Sequence, residues 1–475
     1  MITGNILKLN GWTEGRLIGL AKRAAERLDP QDADRERTLA ALAQVRDDPA
    51  RFAGDPILGD LAAECARLAR AAEAPPADDL RASPLPYPVW GAEHIEPGAR
   101  AQMDTAMRLP AAAAGALMPD AHVGYGVPIG AVLATEGVVV PYAVGVDIGC
   151  RMKLSVYSDG PQVLEARRGQ FQRALLEQTR FGMGAAWERG QRPEHAVLDD
   201  PAWGATKQLR ALKDLAAKQL GSSGSGNHFV EFGVFHLAAD DAGLRLAGGT
   251  YLALLSHSGS RGVGYKICEA FTRLAREQHP SLEKGARDLA WLDLSTQAGA
   301  EYFHSMQAAG AFASANHAVI HRRVSAAVGL EPAAGVENFH NFAWRETLPD
   351  GRDVIVHRKG ATPAGPGVLG VIPGSMGDPG FVVRGRGDAA ALNSASHGAG
   401  RAMSSRRARE TITRTQRDRY LAERGVTLLG AAGLEESPQA YKSITDVIAA
   451  QMDLVDIIGT FRPLLVRMMD EAGDS

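Results

Sequence analysis

The segment from Met118 to Lys153 concentrates side chains that can do chemistry. It reads MPDAHVGYGVPIGAVLATEGVVVPYAVGVDIGCRMK and places acidic, imidazole and thiol groups among glycines and apolar runs. Only Ile-Gly separates Asp147 from Cys150, so a carboxylate oxygen and a thiolate sulfur can face one point. A hard and a soft ligand together suit a borderline divalent transition metal better than calcium or magnesium. The remaining ligands must come from elsewhere in the chain.

Three histidines are candidates for those ligands. His228 follows a turn rich in Gly and Ser in LGSSGSGNHFVEF, His257 ends the apolar run of LLSHSGSRGVGY, and His340 lies in VENFHNFAWRE. Each of them, taken alone, is also compatible with a structural role. With Asp147 and Cys150 they supply enough oxygen, sulfur and nitrogen ligands for one or two metal ions.

The glycine-rich turn before His228 has the GxxxxG spacing of a P-loop, but Asn227-His228 stands where Lys-Ser or Lys-Thr is required. The P-loop interpretation is therefore rejected. A backbone turn that meets phosphate oxygens and a flexible loop before a strand both stay open.

A serine hydrolase is the alternative for the segment around His257, because Ser256 and Ser258 flank it. Adjacent residues of a strand point to opposite faces, however, and the chain contains no GxSxG nucleophile elbow. A metal-binding histidine, with Arg261 positioned for a phosphate, fits better.

Two later segments add groups suited to phosphate chemistry. Glycines and prolines surround Ser375 in VIPGSMGDPGF, and His397 lies in a small-residue loop, HGAG, before a cationic stretch. The stretch from Arg401 to Arg424 contains eight arginines and only three acidic residues. This excess of positive charge favours either a solvated helix face or a polyanion-binding surface. Together with the metal ligands, these segments indicate metal-assisted phosphoryl or nucleotidyl transfer.

Composition limits the class of protein. The 475 residues are 45% hydrophobic and carry a formal net charge of −3, which argues against bulk nucleic-acid binding by a positively charged coat. Cys65, Cys150 and Cys268 form no CxxC motif, which is typical of a reducing compartment. The N-terminus lacks a signal-peptide pattern and no stretch suits a membrane span. We therefore expect a cytoplasmic protein with no membrane contact.

The periodicity of the sequence predicts how these groups are positioned. We expect a helical N-terminal extension over residues 1–75 with three amphipathic helices, a Pro-rich linker over 76–88, and an α+β catalytic domain over 89–475. Predicted strands are AVLAT, GVVVPYAV, FVEFGVF, DVIVHRK and FVVRGRG, and predicted helices lie near 161–180, 205–220, 263–278 and 296–330. The stretch from Arg401 to Met469 is expected to be mainly helical and to end in an apolar-faced helix within ITDVIAAQMDLVDIIGTFRPLLVRMM.

From about Pro86 onward the motifs occur in the order in which the RNA-splicing ligase RtcB family has them: MPDxHxGYGxPIG, GVDIGC, GSGNHFxE, HSGSRGxG, HNxxxxE, RKGA, IPGSMG and HGAGRxMS. The chain resembles that family. The resemblance implies an RtcB-like fold with β-sheets around a central metal cleft and flanking helices. It further implies ligation of RNA ends that carry a 3′-phosphate or 2′,3′-cyclic phosphate to 5′-hydroxyl ends, with GTP and Mn²⁺.

The resemblance also implies roles for particular residues. Two Mn²⁺ ions would be held, with Cys150 shared between them, by Asp147, Cys150, His228, His257 and His340. His397 would attack the α-phosphate of GTP and become guanylylated; pyrophosphate would leave, GMP would pass to the RNA 3′-phosphate, and the 5′-hydroxyl would then displace GMP. The implied contacts to the guanylate are Asn227, Glu231, Ser375, Ala399 and Tyr441, and those to phosphates are Arg261 and Arg401.

Three departures from the family pattern imply a divergent paralogue with altered nucleotide or RNA preference. Arg467 and Met468 lie near the position of a C-terminal lysine that recognises the guanine nucleotide in the family. Gly380 replaces a nucleotide-contacting serine, and Ser405 replaces an arginine. The N-terminal helical region, absent from shorter family members, agrees with such divergence.

Three functions stay open from the sequence. The chain is expected to be an RNA ligase; the alternatives are a metal-dependent RNA-end phosphate hydrolase and a non-ligating RNA-end binding protein. The resemblance leaves open whether an activating partner of the archease type is needed.

Overall fold

The chain divides into two compact units, Met1–Asp79 and Leu80–Ser475. The computed structural model describes residues 2–12, 16–73 and 78–471. Residues 76 and 77 of the predicted linker lie outside the described residues, whereas Leu80, Leu85 and Tyr87 pack against the core of the larger unit. The predicted domain boundaries stay a prediction.

The described part of the smaller unit is helical. Its helices are α1 (Gly4–Leu9), α2 (Arg16–Leu28), α3 (Arg35–Asp47) and α4 (Gly59–Glu73). The three predicted helices are α2 to α4, and α1 precedes them. Their apolar faces form one small core around Leu20, Leu42 and Leu61, and the Asp34 side chain caps α3 by accepting from the backbone N–H of Arg37.

The larger unit alternates helices and strands irregularly. Its helices are α5 (Pro97–Met107), α6 (Pro141–Val144), α7 (Gln162–Ala166), α8 (Arg168–Gln178), α9 (Lys207–Gln219), α10 (Arg261–Gln278), α11 (Gln297–Val328), α12 (Ser405–Thr411), α13 (Arg414–Glu423) and α14 (Ile444–Ala449). Short 3₁₀ helices occur at Pro49–Phe52 in the smaller unit and, in the larger, at Ala92–His94, Arg189–Gln191, Ala196–Asp199, Pro201–Gly204, Lys284–Leu289, Leu434–Glu436 and Pro438–Ala440.

The strands are β1 (Ala112–His122), β2 (Ile129–Thr135), β3 (Val138–Val139), β4 (Arg151–Tyr157), β5 (Phe229–Leu237), β6 (Gly249–Ser258), β7 (Leu292–Asp293), β8 (Pro332–Phe339), β9 (Asn341–Thr347), β10 (Asp353–Lys359), β11 (Ala361–Pro363), β12 (Leu369–Ile372), β13 (Gly380–Gly385), β14 (Ser394–Ser396), β15 (Thr427–Leu429) and β16 (Val455–Met468). A four-stranded sheet has the order β1-β2-β10-β9, and β11-β14 and β3-β7 form two-stranded pairs.

The largest sheet runs β12-β13-β16-β5-β6-β4-β8 through antiparallel pairs, with β15 parallel to β16. Its two edge strands approach each other because the Asn338 amide on β8 accepts from Val371 N at 2.8 Å and donates to Val371 O at 3.3 Å on β12. The sheet therefore curls towards closure. Alternate residues of β6 face opposite sides: Leu255 packs in the interior of this sheet, and Leu254 packs outward with Ile320 of α11.

This architecture confirms the predicted α+β class with sheets around a cleft and flanking helices. The four predicted helices correspond to α7–α8, α9, α10 and α11. Three of the five predicted strands are present at full length, as β2, β5 and β10, and in FVVRGRG the strand β13 ends at Gly385. In GVVVPYAV only β3 is extended, because Pro141 occupies the first turn of the helix α6. Within the described ranges, none of the helices combines the length and apolar character that a membrane span needs.

The prediction of an apolar-faced terminal helix is wrong. Only Ile444–Ala449 is helical there, and Val455–Met468 is the strand β16 between β13 and β5. Pro463 would remove a hydrogen bond from a helix interior, whereas in β16 it lies opposite Gly233 beside a register shift of the ladder. The β-branched residues on either side suit the strand, and pairing with two distant segments decides the outcome.

Candidate functional site

The five predicted metal ligands meet at one end of the large sheet. Asp147 and Cys150 lie on the turn between α6 and β4, His228 directly precedes β5, His257 is near the end of β6, and His340 follows β8. Antiparallel register brings these ends together, since His257 pairs with both Met152 and Phe229 and Arg151 pairs with Phe339. Four segments distant in sequence therefore deliver ligands to one point.

The donor atoms form two overlapping triads. Cys150, His257 and His340 make one triad, and Asp147, Cys150 and His228 make the other; within each, the donor atoms lie within 4.8 Å of one another. The Cys150 Sγ is 3.1 Å from His257 Nε2 and 3.4 Å from His228 Nε2, and His257 Nε2 is 3.1 Å from His340 Nε2. Cys150 is common to both triads.

Hydrogen bonding and burial leave these atoms open for a cation. The His257 Nδ1 contacts the Asn227 carbonyl oxygen at 3.1 Å, so Nδ1 carries the proton and the Nε2 lone pair faces Cys150 and His340. Burial lowers the pKa of His257 and of His340 well below the ordinary value, which keeps both rings neutral. Burial, with the adjacent charge of Asp147, raises the pKa of the Cys150 thiol.

Two buried nitrogen atoms here, His228 Nδ1 and His340 Nδ1, have no hydrogen-bond partner, and the Asp147 Oδ2 lies 3.2 Å from His228 Nε2. Buried groups of this kind are normally satisfied, because desolvation without a partner costs about 1–3 kcal/mol each. A divalent cation bound by the oxygen, sulfur and nitrogen donors would supply the missing interactions. The residues therefore fit a transition metal site.

Glycines let the chain approach the ligands closely. A Cβ at Gly259 would lie 2.2 Å from Asp147 Oδ2, and a Cβ at Gly224 would lie 2.0 Å from His228 Nδ1. Any larger residue at either position would displace a candidate ligand. The close contact with a ligand side chain therefore explains why glycine is required at Gly259 in HSGSRG and at Gly224 in GSGNH.

A fourth histidine of this site, His397, lies beside the three ligand histidines but is held differently. Its Nδ1 contacts Asp120 Oδ2 at 2.6 Å, its backbone N–H donates to the same oxygen at 3.1 Å, and Asp120 is fully buried. The ring centroid is 5.0 Å from that of His340. The buried carboxylate fixes the proton on Nδ1 and leaves Nε2 with a free lone pair.

A cavity of about 290 Å³ joins the two groups. Its lining includes His257 and His340 at one side, His397 at the other, and four of the predicted nucleotide contacts: Asn227, Ser375, Ala399 and Tyr441. Arg401 also lines it, 3.3 Å from Glu436, and Glu436 accepts a hydrogen bond from the Tyr441 hydroxyl. The Ser375 hydroxyl donates to Asp378.

Two predicted contacts do not line this cavity. Glu231 is buried on β5, with Oε2 unpartnered, and burial raises its pKa well above the ordinary value. Arg261 is buried behind the ligand loop, where it donates to Ser222 Oγ at 3.1 Å and to Gly182 O.

Sequence reasoning missed Asp120 and Glu436. The position of Asp120 in the motif MPDxH was the one sequence feature that could have indicated a functional role. Its partner His397 is 277 residues away in the chain. Of the divergent positions, Met468 lines the cavity, whereas Arg467 points elsewhere, 2.9 Å from Asp470.

A second pair of histidines lies on the opposite face of β6. The Ser256 Oγ is 2.6 Å from His317 Nδ1 and 2.8 Å from His321 Nε2, and His321 Nδ1 is 2.8 Å from Ser155 Oγ. The His317 Nε2 is 3.0 Å from the Ser258 carbonyl oxygen. We call these five residues the rear network.

Comparison with known proteins gives one family. A sequence model described as tRNA-splicing ligase RtcB matches residues 102–215 and 194–469. The RNA-splicing ligase RtcB1 of Escherichia coli strain ATCC 25922 is 34% identical over 375 residues, which cover 74% of this chain and 88% of that protein. The RNA-splicing ligase RtcB of Mycobacterium bovis is 34% identical over 397 residues (70% and 91%), and the tRNA-splicing ligase RtcB of Archaeoglobus fulgidus is 31% identical over 422 residues (73% and 86%).

Proposed function

The chain belongs to the tRNA-splicing ligase RtcB family, and on that premise we propose that it is a GTP- and Mn²⁺-dependent RNA ligase that acts through His397. Its substrates would be RNA ends with a 3′-phosphate or 2′,3′-cyclic phosphate and ends with a 5′-hydroxyl. The observation that carries the proposal is the position of His397, whose free Nε2 faces the cavity that the metal-ligand cluster also lines. A nucleophile and a cation site on one small cavity suit nucleotidyl transfer.

Asp147, Cys150, His228, His257 and His340 would hold two cations, with Cys150 common to both triads. Bound divalent cations would neutralise phosphate charge and polarise the phosphoryl group. The same donors would bind Zn²⁺ more tightly than Mn²⁺ by the usual affinity order, so occupancy depends on supply. We propose Mn²⁺ from the family resemblance and the mixed donor set.

In the proposed reaction His397 Nε2 attacks the α-phosphorus of GTP, a P–N bond forms, and the bond to pyrophosphate breaks. The Asp120 carboxylate orients the ring and stabilises the positive charge that develops on the imidazole. The Arg401 guanidinium, held near Glu436, would contact phosphate oxygens. The RNA 3′-phosphate would next take GMP from His397, and the 5′-hydroxyl would finally displace GMP.

The remaining lining of the cavity supports nucleotide binding. Asn227, Ser375, Ala399 and Tyr441 would contact the guanylate, and apolar atoms of Met468 face the same space. Met468 offers no charged group to the base, so discrimination between GTP and ATP is expected to be weak. We also propose a cytoplasmic location, which the three unpaired cysteines support.

The test is the intact mass of the protein after incubation with Mn²⁺ and GTP, or separately ATP. A GMP-sized adduct is expected on the wild type and not on His397→Ala. An AMP-sized adduct would show that the base preference has changed. Absence of any adduct, on protein shown to retain its metal, would contradict nucleotidyl transfer, and phosphate release from RNA ends without a joined product would then identify a hydrolase.

A further inference from the structure

A second, larger cavity opens beside the one that holds His397. It has a volume of about 1010 Å³, and both cavities are lined by Gly226 and Glu436. Its lining continues outward along residues 180–191, from Arg180 to Gln191. We call this space the outer groove. It provides a continuous route from solvent to the edge of the candidate catalytic cavity.

The wall of the outer groove is fastened to the loop that presents His228. The Arg180 carbonyl accepts from Ser223 N at 2.6 Å, and Gly182 N donates to Gly224 O at 3.2 Å. The Trp187 indole N–H donates to Gly221 O at 3.0 Å, and its ring is buried. A ligand held on this wall is therefore held in fixed register with the metal-ligand cluster.

Arg180 lines the outer groove, Arg323 of α11 contacts the same Trp187 ring as Arg180, and Arg322 precedes Arg323 in the chain. We call these three residues the arginine cluster. The guanidinium carbons of Arg180 and Arg323 lie 4.3 and 3.8 Å from the Trp187 ring centroid. Burial, with the positive charges of Arg180 and Arg322, lowers the pKa of Arg323, so the three cations repel one another. Trp187 orients two of these guanidinium groups by cation–π contact.

The arginine cluster has no carboxylate partner in the described part of the chain. Arg180 donates to the carbonyl oxygens of Glu177 and Thr179, Arg323 to Gln178 Oε1 and Gln191 O, and Arg322 to Glu194 O. All of these acceptors are uncharged. Grouped cations without counter-charge are electrostatically unfavourable until an anion neutralises them.

The arginines that sequence analysis singled out behave differently. Between Arg401 and Arg424, six of the eight are within ion-pair distance of a carboxylate; they are Arg401, Arg406, Arg409, Arg414, Arg417 and Arg424. These pairs also neutralise three of the four carboxylates that line the outer groove, namely Glu435, Glu436 and Glu471. Within the described residues the arginine cluster, in contrast, makes no ion pair, and its Arg180 lines the outer groove.

We propose that the outer groove and the arginine cluster bind the sugar-phosphate backbone of the RNA end that enters the catalytic cavity. The inference rests on the proposed function. Arginine matches phosphate oxygens bidentately, and a polyanion supplies several phosphates at once to cations that repel one another. The cluster carries no base-reading geometry, so binding is expected to be tolerant of sequence.

The test is binding of a fluorescein-labelled single-stranded RNA with a 3′-phosphate, measured by anisotropy at several salt concentrations. The variant is Arg322→Gln combined with Arg323→Gln. The matched control, Arg386→Gln combined with Arg406→Gln, removes the same charge from exposed ion-paired residues that do not line the outer groove. The cluster variant should lose about tenfold or more in affinity, and its log–log salt slope should fall by about 1.4, because each phosphate contact on a single strand contributes about 0.7. The control should lose less than about twofold.

Arg322→Gln alone tests the same point without disturbing Trp187, since Arg322 is exposed and donates only to Glu194 O. A slope reduction of about 0.7 is expected. Equal losses in cluster and control variants, or wild-type affinity in both cluster variants, would overturn the inference. Adduct formation at His397 needs no RNA and is measured separately. An adduct on the wild type with unaltered RNA binding by the variants refutes the outer groove alone, whereas a wild type with neither adduct nor RNA binding refutes both proposals.

Discussion

Two histidine groups lie on opposite faces of β6, and they differ in how their nitrogens are used. In front, His257 Nε2 faces Cys150 and His340 with a free lone pair, and His228 Nδ1 and His340 Nδ1 have no partner. Behind, each ring nitrogen of His317 and His321 has a hydrogen-bond partner. Both groups are buried, so burial alone does not separate a ligand site from a structural one.

The rear network has one self-consistent arrangement of protons. The Ser258 carbonyl can only accept, so His317 Nε2 donates to it and His317 Nδ1 accepts from Ser256. The Ser256 oxygen must then accept from His321 Nε2, and His321 Nδ1 accepts from Ser155. Every donor has an acceptor, so no nitrogen lone pair of the rear network is free to bind a metal. Imidazole nitrogens without a hydrogen-bond partner, rather than the number of histidines, therefore distinguish the candidate site.

The largest expected effect comes from removing a front ligand. His257→Ala should reduce His397 adduct formation by at least about 1000-fold, because a lost cation forfeits several kcal/mol of phosphate-charge stabilisation. Metal content measured by mass spectrometry should fall with it. The matched rear variant His317→Ala should stay within about 100-fold of the wild type, since loss of a residue that only supports the ligands typically costs about 10–100-fold. Similar losses in both variants would break the comparison.

Asp120→Asn tests His397, whose Nδ1 has a hydrogen-bond partner and whose Nε2 has a free lone pair. An amide oxygen at this position would still accept from His397 Nδ1 and from the His397 backbone N–H, but the amide carries no charge to stabilise the positive imidazole that forms in the transfer. Adduct formation should fall by about 100- to 10⁴-fold. Bound metal should be unchanged, because Asp120 belongs to neither ligand triad. Wild-type rates in this variant would contradict a role of the Asp120 charge in the transfer.

Addition of Mn²⁺ should stabilise the fold only through the front cluster. At a metal concentration of 100 times Kd the free energy of unfolding should rise by about 2.7 kcal/mol. Thermal unfolding with and without Mn²⁺ measures this gain. Cys150→Ala should abolish it, because Cys150 belongs to both triads, and His321→Ala should retain it. A gain of the same size in Cys150→Ala would place the cation elsewhere.

In the metal-free protein, loss of a rear histidine should destabilise the fold more than loss of a front histidine. His321→Ala leaves the Ser155 hydroxyl without the acceptor His321 Nδ1 and removes one of the two imidazole partners of Ser256, so it should lower the free energy of unfolding by about 2 kcal/mol. His228→Ala removes Nδ1, which lacks a partner, and Nε2, which lies 3.4 Å from Cys150 Sγ and 3.2 Å from Asp147 Oδ2, and should cost about 1 kcal/mol. Urea unfolding at neutral pH in the presence of a chelator measures both. A larger loss for His228→Ala would contradict the assignment of roles.

The last prediction concerns the stability of the protein in acid. Burial lowers the pKa of His317 to about 3, so the unfolded chain binds a proton that the folded protein excludes between pH 3 and 6.5. This contribution to stability is complete above pH 6.5 and is lost as pH falls, by about 1.4 kcal/mol per pH unit. His317→Gln should reduce the pH dependence of unfolding by that slope between pH 4 and 6. An unaltered slope would show that His317 is not held neutral.

Local sequence identified the ligand-bearing segments because each has a chemical or steric signature that does not depend on the fold. The Asp147–Cys150 turn and the glycine-rich loops before His228 and after His257 are of this kind, and the structure brings their side chains together. Whether they bind metal stays a proposal. The rear histidines His317 and His321 lie within the predicted helix 296–330 and carry no such signature.

Non-local pairing explains the rest. Nothing near Asp120 in sequence reveals His397 as its partner, and nothing in the arginines after Arg401 reveals that most face carboxylates. The apolar residues of the segment that forms β16 are compatible with the spacing of either a helix or a strand. Its strand conformation depends on pairing with β5 and β13. The sequence pattern therefore predicts which side chains could bind a metal or a phosphate. Tertiary contacts decide which of these side chains are not already occupied by a hydrogen bond or an ion pair.

The central position of β16 has a consequence for synthesis on the ribosome. Leu465 pairs with Phe232, nearly half the length of the chain away, and β16 joins the β12–β13 pair to the strands from β5 to β8. Until this segment emerges, β5 and β13 each present an open edge to which a strand of another nascent chain can add. Met468, which lines the cavity, arrives with the same strand. The window of exposure to misassembly therefore ends at the same moment at which the catalytic cavity is completed, and both are expected to depend on how quickly this final strand inserts.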